Sequence, residues 1–401
     1  MKIPSLRFPG FKGEWELKAI KNIASINPKS DKLPASFVYI DLESVSNGIL
    51  TKEETICLKN APSRAQRLLN NEDVLFQLVR PYQKNNFYFD KGDGFVASTG
   101  YAQIRAKCSS RFLFHYLHVQ SFVNKVIVRC TGTSYPAINS EDLSKIHIHL
   151  PTLPEQKKIA SFLTAVDERI QRLSRKKTLL EQYKKGVMQK IFSRKIRFKP
   201  AMSGAEGDDK GRDFPEWEEI ALKQVISEFI VPMRDKPTDL KGEIPWCRIE
   251  DFNGKYLYGS KSNQGVSLTT VKLMNLKIYP INTLLVSCSA NLGFCAITKT
   301  ELISNQTFIG LVPNTAKANV EFLYYLMSLS SKRLNILSSG TTISYLSREQ
   351  FEEFKVEFPS LPEQQKIASF LSSIDKKIDL VNTQLEKTRE WKKGLLQKMF
   401  V

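Results

Sequence analysis

The side chains that do chemistry are present, but not at catalytic spacings. The four histidines, His115, His118, His147 and His149, form no His-Glu-x-x-His pair. His147 and His149 alternate with Ile146 and Ile148, which reads as the solvent side of a strand rather than a metal site. The positions 208 residues on, Lys355 and Glu357, would not keep such a site. The six cysteines, Cys57, Cys108, Cys130, Cys247, Cys288 and Cys295, include no Cys-x-x-Cys. They are too sparse for a disulfide scaffold and suit a reducing, cytoplasmic compartment. Cys288 and Cys295 flank a loop and read as small, semi-buried side chains. No Gly-x-x-x-x-Gly-Lys-Ser/Thr string exists, and Gly92-Asp93-Gly94 lacks the third glycine of a dinucleotide loop. Asn27-Pro28-Lys29 fails at the second proline of an Asn/Asp-Pro-Pro-Tyr/Phe methyl-transfer motif. The chemistry left is binding. Lys and Arg number 59 against 41 Asp and Glu, a net charge of +18. With no apolar run long enough for a membrane span and no signal-peptide core at the start, that excess points to nucleic acid.

The elements that would carry such a surface come from a duplication. Residues 151–193 and 359–401 align without a gap at an offset of 208, with 19 of 43 positions identical. Upstream at the same offset, Gly132-Thr133-Ser134 matches Gly340-Thr341-Thr342, and Glu141 matches Glu349. A weaker match opens each half, Glu14-Trp15-Glu16 against Glu216-Trp217-Glu218. Between these points the halves diverge.

Each repeated segment begins Pro-x-Leu-Pro-Glu-Gln. Pro154 and Pro362 suit the first turn of a helix, and Glu155 and Glu363 follow where the helix dipole favours negative charge. The apolar positions then keep a 4,3 rhythm. They are Ile159, Leu163, Val166, Ile170, Leu173 and Leu180 in the first copy, and Ile367, Leu371, Ile374, Ile378, Val381 and Leu385 in the second. Lys177, Lys184, Thr388 and Lys392 interrupt the row. This predicts two helices of roughly 57 Å, each with one apolar stripe that needs a partner. The copies pairing antiparallel is the first expectation; each helix packing on its own domain, or pairing between molecules, are the alternatives. The fold class expected is α+β. Two mixed α/β domains, 1–150 and 214–358, are each followed by a long helix, 151–193 and 359–401, with an exposed linker at 194–213. The basic excess is uneven: 1–150 has 20 basic and 13 acidic side chains, whereas 214–358 has 15 of each. The basic start of the linker, Arg194, Lys195, Arg197 and Lys199, reads either as a phosphate contact or as solvated charge at a helix C-terminus.

Two divergent domains, each closed by a helix opening Leu-Pro-Glu-Gln-x-Lys-Ile-Ala, resemble the specificity (S) subunit of type I restriction-modification systems. The resemblance covers the whole chain and is sharpest at 153–163 and 361–371. The Gly-Thr elements and the stretch 73–82 also look like the family, with only a loose counterpart at 282–287. The resemblance implies two target-recognition domains, each reading one half of a split, asymmetric target in double-stranded DNA. It implies helices that set the unread gap and dock two methyltransferase (M) subunits acting on adenine N6. It implies restriction (R) subunits in the same complex. S-adenosylmethionine, ATP and magnesium would then sit on partners, and this chain would hold no cofactor and catalyse nothing. A stand-alone coiled-coil DNA-binding regulator or architectural protein is the alternative; its dimer would need only one helix per chain, and this chain has two.

Base edges are read by Arg, Lys, Asn, Gln, Ser and Thr, and phosphates by basic and hydroxyl groups. In the first domain, Arg80, Tyr82, Gln83 and Lys84 follow an apolar strand-like run and a proline, as a loop leaving a sheet. Thr133, Ser134 and Tyr135 form a second candidate loop, or plain turn chemistry between Gly132 and Pro136. In the second domain the candidates are Ser287, Ser289 and Asn291, with Thr341, Thr342, Ser344 and Tyr345 in the place of the Gly-Thr loop.

Overall fold

A computed structural model describes residues 3–29, 32–46, 48–200, 213–232, 236–289, 291–338 and 345–401. The chain folds as two compact units, one formed by 1–176 with 381–401 and the other by 177–380. Each long helix therefore begins in one unit and ends in the other.

In the first unit, one four-stranded sheet runs Ala24–Ile26, Tyr101–Ala106, Val74–Gln77, Phe87–Tyr88, antiparallel throughout. A second runs Thr55–Cys57, Ser36–Ile40, Phe95–Ser98, Ala65–Leu68, with a parallel pair at its centre. The central strands Val74–Gln77 and Phe95–Ser98 are buried at every residue, as continuous apolar runs covered on both faces require. The strand Glu16–Ala19 pairs with His147–Leu150 just before the first long helix, Leu153–Phe192. Along His147–Leu150 only Ile148 is fully buried, and His147 is exposed.

The second unit repeats this plan. Glu218–Ala221 pairs with Lys355–Phe358 before the second long helix, Leu361–Met399. Its main sheet runs Ile226–Ile230, Phe308–Pro313, Leu284–Ser287, Cys295–Thr298, Tyr256–Leu257. A three-stranded sheet, Gly265–Val266, Ile244–Cys247, Ile303–Ser304, lies alongside in sequence order 2-1-3. Gly310 is held to glycine by packing: a Cβ there would sit 2.4 Å from the ring of Tyr279, which is fully buried. Cys288 and Cys295 are buried outright rather than half-buried, at 2% and 4% exposure.

The long helices serve both roles left open by their pattern. Ile159, Leu163 and Val166 join the core of the first unit, beside Phe112 and Phe122 of its own domain. The same core takes Leu395, Met399 and Phe400 from the end of the second helix. In the second unit, Ile367, Leu371 and Ile374 pack with Met188 and Ile191 from the end of the first helix. Within each unit the start of one long helix thus lies against the end of the other, which is antiparallel pairing. The remaining apolar positions divide. Val381 and Leu385 are buried, whereas Ile170, Leu173, Leu180 and Ile378 are half-buried.

Candidate nucleic-acid interface

The first unit brings its two candidate loops together. Strand Val74–Gln77 ends in a tight turn over Pro81–Gln83, with Arg80 and Lys84 on either side at φ 54°. Left-handed backbone at two non-glycine residues costs energy that the surroundings must offset. The offset comes from the second loop. Arg80 N–H donates to the Pro136 carbonyl at 2.7 Å, and Ile138 N–H donates to the Leu78 carbonyl at 3.1 Å. The Arg80 guanidinium lies 4.2 Å from the centre of the Tyr135 ring. Gln77 is buried and holds the turn from below, donating to Gln83 Oε1 at 2.8 Å and accepting from Asn85 N–H. Lys84 Nζ donates to Gln120 Oε1 at 2.8 Å. Outside this frame Tyr82, Gln83, Thr133, Ser134 and Tyr135 are exposed. The result is a polar rim, joined by backbone hydrogen bonds, with two tyrosines and two cations.

The second unit joins the corresponding loops with other side chains. Leu346 N–H donates to the Cys288 carbonyl at 2.9 Å, and Ser289 bridges Tyr345. Ser287 is fully buried, and its hydroxyl donates to the Ser289 carbonyl at 2.7 Å, so it closes its own loop. Asn291 and Tyr345 are exposed. Thr341, Thr342 and Ser344 lie outside the described residues.

Each unit also carries a duplicated frame, and here the repeated Pro-Glu-Gln earns its place. Gln156 accepts from Ser109 N–H at 3.1 Å and donates to the Pro151 carbonyl at 2.8 Å. Gln364 accepts from Asn319 N–H at 2.9 Å and donates to the Pro359 carbonyl at 2.9 Å. Ser109 and Asn319 are themselves the N-caps of Ser110–Tyr116 and Val320–Leu329, so each glutamine grips the start of a domain helix. Glu155 is buried and takes a two-pronged Arg7 at 2.7 and 2.8 Å. Glu363 is buried and takes Arg197 at 3.0 Å and Trp217 Nε1 at 3.2 Å. Arg197 is therefore tied into the frame with part of its side chain still exposed; its guanidinium also meets Glu216 and the Phe214 and Pro215 carbonyls. The weak Glu-Trp-Glu match has a matching cause. Trp15, Phe112 and Phe400 form an aromatic cluster in one unit, and Trp217, Phe322 and Phe192 form its twin in the other.

Arg7 and Arg197 were not singled out by the repeat. They recur as Leu6-Arg7-Phe8 and Ile196-Arg197-Phe198, 190 residues apart rather than 208, so a gapless comparison passes over them. Phe8 meets Phe162, and Phe198 meets Phe370, with the same edge-to-face geometry.

Burial sets the charge state of the remaining histidines. His115 is pushed well below the usual imidazole value by burial, with Lys392 acting in the same direction. His118 is lowered to about 4, chiefly by burial. Among the described residues no group of three or more His, Cys, Asp and Glu is placed to hold a metal ion. No described helix is long and apolar enough to cross a membrane.

The family described as type I restriction modification DNA specificity domain matches residues 12–182 and again 215–388. The specificity subunit of the type I restriction enzyme MjaVIII of Methanocaldococcus jannaschii is 24% identical over 416 residues, spanning 96% of this chain and 91% of that subunit. The MjaIX specificity subunit of the same organism is 36% identical over 141 residues, 34% of this chain and 32% of its own length. The HindI specificity subunit of Haemophilus influenzae is 20% identical over 393 residues, 80% of this chain and 84% of that one. Among solved structures, the S subunit of a type I restriction-modification system from M. genitalium superposes with a TM-score of 0.64 at 16% identity, over 100% of this chain and 99% of that one. A chain from a study of assembly and conformational transition in a type I system gives 0.58 at 21% identity, over 96% and 97%. With the family's domain matched twice over most of its length, on a frame whose fold those structures share, this chain belongs to the type I restriction-modification specificity family.

Proposed function

We propose that each unit reads one half of a split, asymmetric DNA target, and that the paired helices set the unread gap. On this reading the chain docks two M subunits, which hold S-adenosylmethionine and methylate adenine at N6. R subunits with ATP and magnesium join the same complex, in the cytoplasm. The chain itself supplies recognition and geometry and no chemistry.

The observation that carries this reading is the contrast between frame and rim. The frame is kept twice in its main contacts: Glu155 and Glu363, Gln156 and Gln364, and the two aromatic clusters. The joined loops carry different side chains where they are described, Arg80 and Tyr135 in one unit and Ser289 and Tyr345 in the other. A duplicated support that carries two unlike polar rims suits two different short sequences at a fixed separation.

The test is single-molecule sequencing for N6-methyladenine in a host carrying the cognate M subunit, with and without this chain. A new split motif of two short defined parts and one gap is expected. With M soluble and expressed, the absence of any new mark would refute the reading.

A further inference from the structure

The apolar rows of the long helices are broken by charge, and the breaks are reciprocal. In the first unit, Lys392 of the second helix meets Asp167 of the first at 2.5 Å. In the second unit, Lys184 of the first helix meets Asp375 of the second at 2.5 Å. All four side chains are half-buried, between 19% and 23% exposed. Along each helix the aspartate precedes the lysine by 17 residues. Two equal spacings read in opposite directions match in one register only; a slip by one heptad breaks both pairs together.

A side chain of the variable domain stands beside each aspartate, as a hydrogen-bond donor in the second unit and beyond hydrogen-bond distance in the first. His115, on helix Ser110–Tyr116, lies 3.7 Å from Asp167, and its other ring nitrogen meets Thr164 at 3.3 Å. Tyr325, on helix Val320–Leu329, donates to Asp375 at 2.5 Å and meets Ser372 at 3.2 Å. Thr164 and Ser372 are equivalent in the repeat, as are Asp167 and Asp375. In the second unit Lys255, only 8% exposed, adds bonds to Ser372 and Glu321. A charged pair in an otherwise apolar seam adds little stability over a packed hydrophobic pair, and its best attested use is to specify one arrangement.

We propose that Asp167–Lys392 and Asp375–Lys184 are keys that fix how each recognition domain sits on the helix pair, through His115 and Tyr325, and thereby hold the unread gap to one length. This rests on the gap-setting role proposed above. These are positioning residues: none lies on the rim that would touch DNA.

The test compares the wild-type chain with Asp167→Asn/Asp375→Asn, an isosteric change that leaves both chain length and rim intact. Both are co-expressed with the M subunit, and methylated motifs are sequenced. The variant is expected to keep both half-site sequences but to spread about a tenth of its marks onto gaps of other lengths. Asp167→Lys alone should spread them further, and Asp167→Lys/Lys392→Asp should restore a single gap. A single sharp gap in every variant overturns the keys and leaves the specificity reading standing. Altered half-site sequences also overturn them, since the residues would then act on base reading. Absence of a split motif in the wild type overturns the specificity reading itself.

Discussion

Arg80 is bound to the frame through its backbone and offers its guanidinium to the surface, stacked on Tyr135. That division makes it separable by mutation. Arg80→Gln keeps the turn but loses the stack and the charge. Its expected cost is about 1–3 kcal/mol in DNA affinity, confined to the first half-site, with the unfolding midpoint nearly unchanged. Equal loss at both half-sites, read by binding to targets mutated one half at a time, would defeat the assignment. His115 and His118 offer a test of burial. The unfolded chain takes up their protons near pH 6.5, whereas folded His118 does so only near 4. The unfolded state therefore binds more protons in between, and stability present above pH 6.5 is lost as the pH falls. For His118 alone the loss from pH 7 to 5 is about 2 kcal/mol, where exposed carboxylates are still ionised. A thermal midpoint that does not fall across that window would contradict it. Arg80 was already a candidate in the sequence, whereas its stack on Tyr135 and the burial of the histidines were not legible there. The histidines read as unremarkable, because what surrounds His115, Thr164 and Asp167 of the first long helix and Lys392 of the second, arrives from distant positions.

Among the elements, the long helices were the most readable and the reason is periodicity. Ile159, Leu163 and Val166, and Ile367, Leu371 and Ile374, stand where a 3.5-residue repeat puts them. The pattern could not say what covers them, because a domain core and a partner helix ask for the same apolar stripe; here both do. Polar residues on that stripe read as interruptions, although Lys184 and Lys392 each have an aspartate waiting. The helix starts are where the frame is most exposed to damage. Glu363→Gln removes the charge that pairs Arg197 and leaves Trp217 with a weaker acceptor. It should destabilise by about 2 kcal/mol, discounted because Arg197 is partly solvated, and Glu155→Gln by a similar or smaller amount. Denaturant titration of both variants checks this; unchanged midpoints would mean the motif's acid is dispensable.

At the scale of the molecule, duplication was plain from the 208-residue offset, and the family followed from it. The internal layout of the variable domains was not, because their sheets contain parallel pairs joined by long loops that leave no short-range signal. The modular frame predicts the outcome of exchange. Replacing 1–150 by the corresponding domain of another family member should change one half of the methylated motif and leave the other half and the gap as they were. Change in both halves, read from the methylation map, would end the modular account.

The first unit contains Leu395, Met399 and Phe400 in its core, and Leu6 N–H bonds the Lys398 carbonyl. Its apolar interior therefore stays unsealed on the ribosome until residues 381–401 have been made. During that interval Trp15 and Phe112 lack their third ring, and the nascent domain presents a sticky surface to chaperones and proteases. A chain stopped early by a frameshift between the copies keeps its first recognition rim but not a closed core. Such a chain is expected to be cut faster than the full-length protein in limited proteolysis, and equal resistance of the two would show that the core closes without residues 381–401.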